Sequence, residues 1–514
     1  MVYYGPISKG CDRCRRRKIK CGEQRPACQQ CTKANIPCAG YRCLTDLVFR
    51  DETALLRNRH KFVASAVKSA AILPSAACSP SWKKQNGMLS AADHSPGSRS
   101  ERPSRALLPS LHDRAAGFVF ANFVYSDAPV TETFADYLKH QYVQSGTELA
   151  LSSAMQALGL FGIAHTSKAG TDVLEARRVY GRSLALTREA LRDPERRSTD
   201  EVLAAVWFLA MVENMTASSL DQYRSWYAHI EGAMSLISLR GKQQFDSELG
   251  RILFFKFRAQ LMSLCLQRDI PMPDHAASLL LGAGSPSMEG NSALIPAASG
   301  IGICNLRAAI ASETLSDPQE IIAIAQDIES AFSDMLTRTY LVSAYRTIIT
   351  EEGSNDCFQG RYDIYSDLAR AQSWNHLRNM SIIVNGIIAD HYAILRRQAT
   401  RGLMVEEEAL ASHAVRSIQR LCHDICGSVS YILCNLPAQI QVRNKSSEVS
   451  DALPLLWPLY TCMTSSHVSD DMRRWARGRL VYINHVFGIR QAGLMIEVAD
   501  RDAYSRTKRK SASI

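Results

Sequence analysis

The stretch CDRCRRRKIKCGEQRPACQQCTKANIPC, residues 11–38, contains the half-motif C-x2-C-x6-C twice, with six residues between the copies. Its cysteines are Cys11, Cys14, Cys21, Cys28, Cys31 and Cys38. Cysteine pairs two residues apart, each followed by a third cysteine, have the spacing of zinc ligands rather than of disulfides. Six thiolates can complete two tetrahedral zinc sites only if two of them bridge. The repeat therefore predicts two adjacent zinc ions that share one cysteine from each half.

A disulfide framework is the alternative interpretation of these cysteines. Residues 1–10 lack the apolar core of a signal peptide, and a chain of 514 residues is far longer than the small secreted domains that need such cross-links. No apolar run was expected to reach the length of about eighteen residues that spans a membrane, the longest being near residues 206–212 and 382–388. The sequence therefore predicts a soluble intracellular protein with reduced cysteines and no membrane partner.

The segment around the cysteines is small and strongly cationic. About thirty residues cannot bury enough apolar surface to fold unaided, so metal binding must supply the folding free energy, roughly 10–16 kcal/mol. Residues 9–42 hold ten Lys and Arg against two acidic residues, a net charge of +8 in a chain of +10. Six thiolates and two zinc ions lower that charge only to +6. The unit is suited to a polyanion, with an affinity that falls steeply as salt rises.

The cysteine spacings, the basic residues 15–20 around the apolar Ile19, and Pro26 two residues before the fourth cysteine resemble the fungal binuclear zinc-cluster transcription factors. The resemblance implies a small cluster with two short helices, a nuclear location, and double-stranded DNA containing CGG-like triplets as the target. It also implies that Cys11 and Cys28 bridge the two zinc ions. One zinc site would be completed by Cys14 and Cys21, and the other by Cys31 and Cys38.

The basic residues divide into two predicted roles. The resemblance places a base-reading lysine at Lys18, and a lysine can donate to guanine O6 and N7 in the major groove. Phosphate contacts, which position the domain without reading sequence, are expected from Arg15, Arg16, Arg17, Lys20 and Arg25. A nonspecific basic patch and a nuclear localisation signal are alternatives, but an isolated basic run is a weaker signal than six matched ligands.

Beyond a cluster domain at residues 1–43, composition divides the chain into three segments. Residues 44–71 have an amphipathic helical pattern whose heptad seam is interrupted by Asp51 and Asn58, so a homodimer through this helix and a monomer both stay open. Residues 72–110 are rich in Ser and Pro and predict a flexible linker. Residues 111–514 predict a large all-helical domain, long enough for two lobes. The fold class is mostly α.

Several residues mark helix ends in this domain. Asp193 and Pro194 are predicted to end one helix, and Ser198 with Glu201 forms a capping box for the next. A further helix is expected to end at the pair Arg240-Gly241, and Ser469 is expected to cap a later one. The helix before Asp193 is expected to have an apolar face made of Val173, Ala176, Tyr180, Leu184 and Leu191.

The large domain resembles the fungal-specific transcription factor domain. The parallels are LAAVWFLAMVE at residues 203–213, the spacing of Trp226, His229 and Gly232-Ala233, the pair Arg240-Gly241, LLWPLY at residues 455–460, and FGIRQA at residues 487–492. The resemblance implies a regulatory domain that contacts the transcription machinery or coregulators. Members of this architecture often govern biosynthetic or nutrient gene clusters.

No catalytic motif is recognisable, since the chain lacks a phosphate-binding loop, HExxH and GxSxG. His229, on an apolar helix face, is expected to be a hydrogen-bonded core residue. Cys422 and Cys426 lie one helical turn apart beside His423 and could bind a metal or sense oxidants, but buried apolar thiols are the default interpretation. Cys43, just outside the repeat, is expected to be a spare thiol. We expect no enzymatic activity.

These patterns together predict a sequence-specific regulator of RNA polymerase II genes in the nucleus. A zinc-dependent chromatin scaffold or corepressor without sequence readout is the alternative function. A regulator gated by a small molecule would differ only by a pocket in the helical domain, which a sequence does not reveal.

Overall fold

The computed structural model describes residues 11, 13–14, 17, 19–22, 24, 27–36, 38, 109–124, 138, 149–167, 170–282, 297–350, 356–398, 402–436 and 448–512. The chain divides into two compact units, Met1–Arg102 and Pro103–Ile514. The helix predicted at residues 44–71 and residues 72–108 of the predicted linker lie outside the described residues. The boundaries of the four predicted segments therefore stay predictions.

Cysteines make up the described core of the first unit. Cys11, Cys14, Cys28 and Cys31 are fully buried, and the half-buried Cys21 and Cys38 pack against them. The five-residue helix α1 (Gln29–Lys33) follows the fourth cysteine. A core of thiols without aliphatic side chains agrees with the expectation that a metal must stabilise this unit.

Helices dominate the second unit, which confirms the mostly α prediction. They are α2 (Leu111–Val119), α3 (Leu149–Ser167), α4 (Gly170–Arg192), α5 (Asp200–Thr216), α6 (Leu220–Arg240), α7 (Glu248–Arg268), α8 (Asp274–Gly282), α9 (Ala297–Ala311), α10 (Pro318–Val342), α11 (Leu368–Gln398), α12 (Val405–Ile432), α13 (Val449–Ala452), α14 (Leu456–Thr464), α15 (Asp470–Val486) and α16 (Arg490–Ala512). A π-helical turn at Phe120–Val124 and 3-10 turns at Gly241–Phe245 and Leu453–Leu455 extend them.

Helices α3 and α5 lie at the centre of the N-terminal half of this unit. Helix α3 packs against α2, α4 and α5. Helix α5 is buried on nearly every side, as expected of a helix that is apolar all round. Residues 203–213, whose pattern resembled the transcription factor domain, form its buried centre. Gly159 allows α3 to approach the backbone of α2 at Ala115 closely, since a Cβ at this position would overlap the Ala115 carbonyl.

Helix α3 also corrects the expectation that no segment reaches the length of a membrane span. Leu149–Thr166 is long and apolar enough by length and composition. However, 67% of this segment is buried inside the protein, where it contacts three other helices. A core helix passes the same test of length and composition, and the packing identifies α3 as one.

Three of the four predicted helix ends are confirmed. Helix α4 ends at Arg192, just before Asp193. Helix α6 ends at Arg240, and Gly241 follows with a φ of 54°, the left-handed region that glycine adopts without strain. Ser469 caps α15 by accepting a hydrogen bond from the amide of Met472 at 3.3 Å.

The capping box predicted at Ser198 and Glu201 is wrong by one residue. The N-cap of α5 is Thr199, whose hydroxyl accepts a hydrogen bond from the amide of Val202 at 3.4 Å. Serine and threonine are both good caps, so two adjacent candidates leave the first residue of the helix undecided. The contacts of the folded chain select the second.

The apolar face predicted for α4 is shifted from the buried one. The fully buried positions are Ala176, Val179, Ser183, Thr187 and Ala190. Leu184, by contrast, is 37% exposed and lines a groove shared with α5 and α6. Apart from the shared Ala176, the predicted stripe is displaced by one position along the chain from the buried one. Both stripes have the helical period, so apolar periodicity alone does not identify the buried stripe.

A short hairpin makes the second unit mostly rather than entirely helical. Strands β1 (Arg346–Ile349) and β2 (Arg361–Ile364) pair antiparallel with Arg346 opposite Ile364. Strand β2 is mostly buried against α12, whereas β1 is mostly exposed. Four residues give too little alternation to distinguish a strand by sequence, which explains why the hairpin was not predicted.

Candidate metal centre and nucleic-acid interface

The two cysteine half-motifs fold alike. The amide of Ile19 donates to the carbonyl of Cys14 at 3.0 Å, and the amide of Ile36 donates to that of Cys31 at 3.2 Å. Each hydrogen bond closes the turn that follows the second cysteine of its half. Both isoleucines remain exposed, at 43% and 46%. The sequence repeat is therefore also a structural repeat, and Ile36 is the counterpart of Ile19 that the sequence analysis overlooked.

Backbone amides orient two of the thiols. Cys28 is the N-cap of α1, with φ −73° and ψ 147°, and its sulfur accepts a hydrogen bond from the amide of Cys31 at 3.4 Å. In the first half, the amide of Cys11 donates to the sulfur of Cys21 at 3.3 Å. Such hydrogen bonds favour the thiolate, the form of cysteine that binds metals.

The six sulfur atoms converge into two groups of four. One group contains Cys11, Cys14, Cys21 and Cys28, and the other contains Cys11, Cys28, Cys31 and Cys38. Within each group all sulfur atoms lie within 4.8 Å of one another. Cys11 and Cys28, one cysteine from each half of the repeat, belong to both groups.

The sulfur separations fit tetrahedral zinc. A Zn–S bond of about 2.3 Å requires neighbouring sulfurs to be about 3.8 Å apart at tetrahedral angles. The separation is 3.6 Å between Cys11 and Cys28, 3.8 Å between Cys11 and Cys31, and 3.7 Å between Cys14 and Cys28. Four soft sulfur donors at these distances suit zinc.

The protein alone does not favour ionisation of these thiols. Burial raises the pKa of Cys14, and the neighbouring thiols Cys11 and Cys28 raise it further. Burial is also the largest cause of the raised pKa of Cys28. Thiolates crowded in a site shielded from water need a cation beside them, which is the chemistry that a bound divalent metal supplies.

Two of the predicted DNA contacts belong to the described residues. Arg17 and Lys20 are exposed, and the amide of Arg17 donates to the carbonyl of Arg13 at 3.1 Å, which continues the helical turn around Cys14. Their charges therefore face solvent beside the metal site. The other predicted contacts lie outside the described residues, namely Arg15, Arg16, Lys18 and Arg25.

Comparison with known families agrees with this geometry. Residues 9–46 match the fungal Zn(2)-Cys(6) binuclear cluster domain, and residues 111–270 match the fungal specific transcription factor domain. The chain therefore contains a fungal binuclear zinc-cluster domain followed by a fungal specific transcription factor domain. Its cluster domain binds two zinc ions. Both matched families consist of transcription factor domains, which are not enzymes.

A curated relative supports the same assignment over a short segment. The arginine metabolism regulation protein II of Saccharomyces cerevisiae (strain ATCC 204508 / S288c) is 56% identical over 32 residues. That segment covers 6% of this chain and 4% of the relative. No solved structure matches the chain.

In the transcription factor domain, the structure adds a third thiol to the predicted pair. Cys422 and Cys426 are fully buried, and so is Cys462, whose thiol donates to the carbonyl of Cys422 at 3.9 Å. Cys462 comes from a different helix, so no local pattern of residues indicates this contact. These thiols fit the default interpretation as buried apolar groups.

His423 points away from these thiols towards the hairpin. Its Nδ1 lies 2.8 Å from the guanidinium of Arg361, and its Nε2 lies 3.3 Å from Gln359. Arg361 in turn forms ion pairs with Asp363 at 2.9 Å and Asp424 at 2.8 Å. His423 therefore fastens the hairpin to α12, and within the described ranges the groups arranged to hold a metal are those of the six N-terminal cysteines.

His229 differs from the expectation of a hydrogen-bonded core residue. It is half-buried in the groove between α4 and α6, beside Gly232 and Leu236. Burial lowers its pKa to about 4, so the imidazole is neutral at physiological pH. In the part of the chain that the structure describes, the ring of His229 forms no hydrogen bond or ion pair.

Proposed function

We propose that this protein is a nuclear, sequence-specific regulator of RNA polymerase II genes that reads CGG-like triplets in the major groove. The observation that carries the proposal is the convergence of six sulfur atoms into two groups of four that share Cys11 and Cys28. Two zinc ions bound in this way would hold the turn around Cys14 and helix α1 in one rigid unit. Rigidity matters because base readout requires fixed donor positions.

The metal sites follow from the two sulfur groups. We assign one zinc ion to Cys11, Cys14, Cys21 and Cys28, and the other to Cys11, Cys28, Cys31 and Cys38. Zinc supplies folding free energy and charge neutralisation here, with no open coordination position for catalysis.

The DNA contacts follow from the position of the cations. We assign base contact to Lys18 and phosphate contacts to Arg15, Arg16, Arg17, Lys20 and Arg25. The exposure of Arg17 and Lys20 beside the thiol core supports this division, since phosphate contacts need only a charged side chain in solvent.

The remaining segments complete the proposal. Residues 1–43 would bind DNA, residues 44–71 would allow a homodimer, residues 72–110 would act as a linker, and residues 111–514 would contact coregulators or the transcription machinery. The name of the yeast relative refers to metabolic regulation, which is compatible with control of a biosynthetic or nutrient gene cluster.

Selection of bound oligonucleotides from a random pool tests the proposal on the full-length, zinc-loaded protein. We expect enrichment of CGG-containing duplexes. Lys18→Ala should reduce discrimination against altered triplets by about 1–3 kcal/mol. Arg17→Ala is the matched control, because losing a phosphate contact should weaken all duplexes alike and reduce the salt slope by about one.

Two outcomes would contradict the proposal. Equal retention of all sequences by the parent protein would favour the scaffold or corepressor function. Uniform weakening by Lys18→Ala, like that expected of Arg17→Ala, would make Lys18 a phosphate contact rather than a base reader.

A further inference from the structure

A cleft of about 910 Å³ lies between the two halves of the helical domain. Its walls come from α6, α7 and α9 on one side and from α11, α12, α14 and α16 on the other. This volume falls in the range of small-molecule sites, roughly 300–1,000 Å³. Its apolar lining includes Leu266, Met380, Ile383, Ile387, Met495 and Val498.

Helix α11 determines the length of the cleft. Asn379, Ile383, Gly386 and Asp390 all line it, and their spacing of four, three and four residues puts them along one face of the helix. At 1.5 Å per residue, Asn379 and Asp390 are about 16 Å apart along the helix axis. Gly386 opens the middle of this face, because a Cβ built there meets nothing within 4 Å.

One end of the cleft holds a buried acceptor. Asn379 is only 4% exposed, and its Oδ1 accepts no hydrogen bond from any described residue. By contrast, the side-chain oxygen of Asn375, on the same helix, accepts a hydrogen bond from Arg378 at 3.1 Å. A buried acceptor without a donor is unfavourable because it has lost its hydrogen bonds to water, so this end of the cleft fits a ligand that supplies a donor.

The opposite end is anionic. Asp390 lies at this end, 3.4 Å from the imidazole of His467, and Asp502 also lines the cleft. The guanidinium of Arg307 is already engaged by Asp269 at 2.6 Å. The charged groups that line the cleft therefore include more carboxylates than cations.

Aromatic side chains extend this preference for a cation. The rings of Trp457 and Tyr460 line the cleft with centroids 5.5 Å apart. Aromatic faces attract ammonium groups. The lining of the cleft thus combines carboxylates with aromatic faces, both of which favour a positive charge.

We propose that this cleft binds an elongated organic cation, a small molecule with a hydrogen-bond donor at one end, an apolar body, and a protonated amine at the other. The donor pairs with Oδ1 of Asn379, the body lies over Ile383 and Gly386, and the amine lies against Asp390. The ligand contacts both halves of the helical domain at once. This function does not depend on which DNA sequence the cluster domain reads.

Ligand-observed NMR on the full-length, zinc-loaded protein tests this site with three matched series at millimolar concentration: linear amino alcohols, the corresponding diols, and the corresponding hydroxy acids. We expect the amino alcohols to bind about fivefold more tightly than the diols, the effect of one partly exposed charge contact. The hydroxy acids should bind most weakly. Asp390→Asn should remove most of the difference between amino alcohols and diols, while Asp334→Asn, an exposed change on α10, should preserve it.

A second pair of variants tests the location. Gly386→Leu should fill the cleft and abolish binding, whereas Gly478→Leu on α15 should leave binding intact. Both glycines lie within helices and have open space at the Cβ position, and leucine is the better helix former, so thermal unfolding should show both variants folded.

Three results would overturn the proposal: hydroxy acids binding as tightly as amino alcohols, Gly386→Leu binding like the parent protein, or an absence of binding in all three series. If Gly386→Leu fails to fold, the comparison of Asp390→Asn with Asp334→Asn still decides the outcome. None of these measurements involves DNA, so they fail or succeed independently of the transcriptional function.

Discussion

The guanidinium of Arg378 donates a 2.7 Å hydrogen bond to the phenolic oxygen of Tyr365, in a position where Arg378 is only 1% exposed. The rings of Tyr345 and Trp374 lie 4.9 and 5.1 Å from its central carbon. A second hydrogen bond, of 3.1 Å, reaches the side-chain oxygen of Asn375. Aromatic faces and neutral oxygens thus accommodate a buried cation that joins α11 to the segment after the hairpin.

Replacing Arg378 should therefore destabilise the helical domain. Arg378→Met keeps much of the side-chain length but leaves the oxygens of Tyr365 and Asn375 without their donor. We expect a loss of about 3 kcal/mol in the free energy of unfolding, measured by urea denaturation. The matched control is Arg396→Met on the same helix, whose ion pair with Glu408 is about half exposed and should contribute less than about 1 kcal/mol. Equal losses for the two variants would contradict a structural role for the enclosed cation.

Glu213 should make stability depend on pH. Burial raises its pKa, and the hydrogen bond from the hydroxyl of Tyr180 only partly opposes that shift. The folded state therefore holds the proton more tightly than the unfolded state, and its stability falls as pH rises through the raised pKa. Glu213→Gln keeps an acceptor for Tyr180 without the charge, so it should raise the free energy of unfolding at neutral pH.

The gain from Glu213→Gln should disappear below about pH 4, where the carboxyl group is protonated in both states. Denaturation curves recorded between acidic and neutral pH show whether Glu213→Gln raises or lowers the free energy of unfolding. Glu189→Gln, an exposed change on α4, is the control and should shift stability little at any pH. A variant less stable than the parent at neutral pH would show that the charge of Glu213 is needed.

Gly159 should not tolerate a side chain. A Cβ at this position would overlap the backbone of Ala115 on α2, so Gly159→Ala must push two core helices apart, at a cost of about 1–3 kcal/mol. Gly181→Ala on α4 is the matched control, because its Cβ meets nothing within 4 Å and alanine favours a helix over glycine by up to about 1 kcal/mol. Thermal unfolding should move in opposite directions for the two variants, and a common direction would refute the close approach of α2 and α3.

The shared sulfurs should be visible in zinc stoichiometry. Cys28 belongs to both groups of four, whereas Cys38 belongs to one. We expect Cys38→Ser to retain about one zinc ion per chain and Cys28→Ser to lose both, because removal of a bridge leaves three ligands on each metal. Elemental analysis of the purified protein measures this. The control is Cys43→Ser, a change outside the repeat, which should leave two zinc ions bound per chain. Equal loss of zinc in the Cys28 and Cys38 variants would argue against bridging.

Local signals predicted much of the fold. Helix ends at Asp193, Gly241 and Ser469 could be recognised because capping depends on a few neighbouring residues. The N-cap of α5, Thr199, could not be distinguished in this way, because Ser198 offers the same chemistry. The buried stripe of α4 was also misplaced, since the neighbours that cover a helix face are distant in sequence.

The sequence by itself determined the metal chemistry, because zinc ligands are recognised by residue type and spacing, and both copies of the half-motif are local. Only the tertiary structure decided what distant residues do together. It placed Cys462 beside Cys422, enclosed Arg378 among rings, and aligned Asn379 with Asp390 along an open cleft. These arrangements depend on contacts between helices, which form where the burial of apolar surface outweighs the loss of chain entropy. The residues in such a contact are distant in sequence, so no local sequence pattern identifies the pairs.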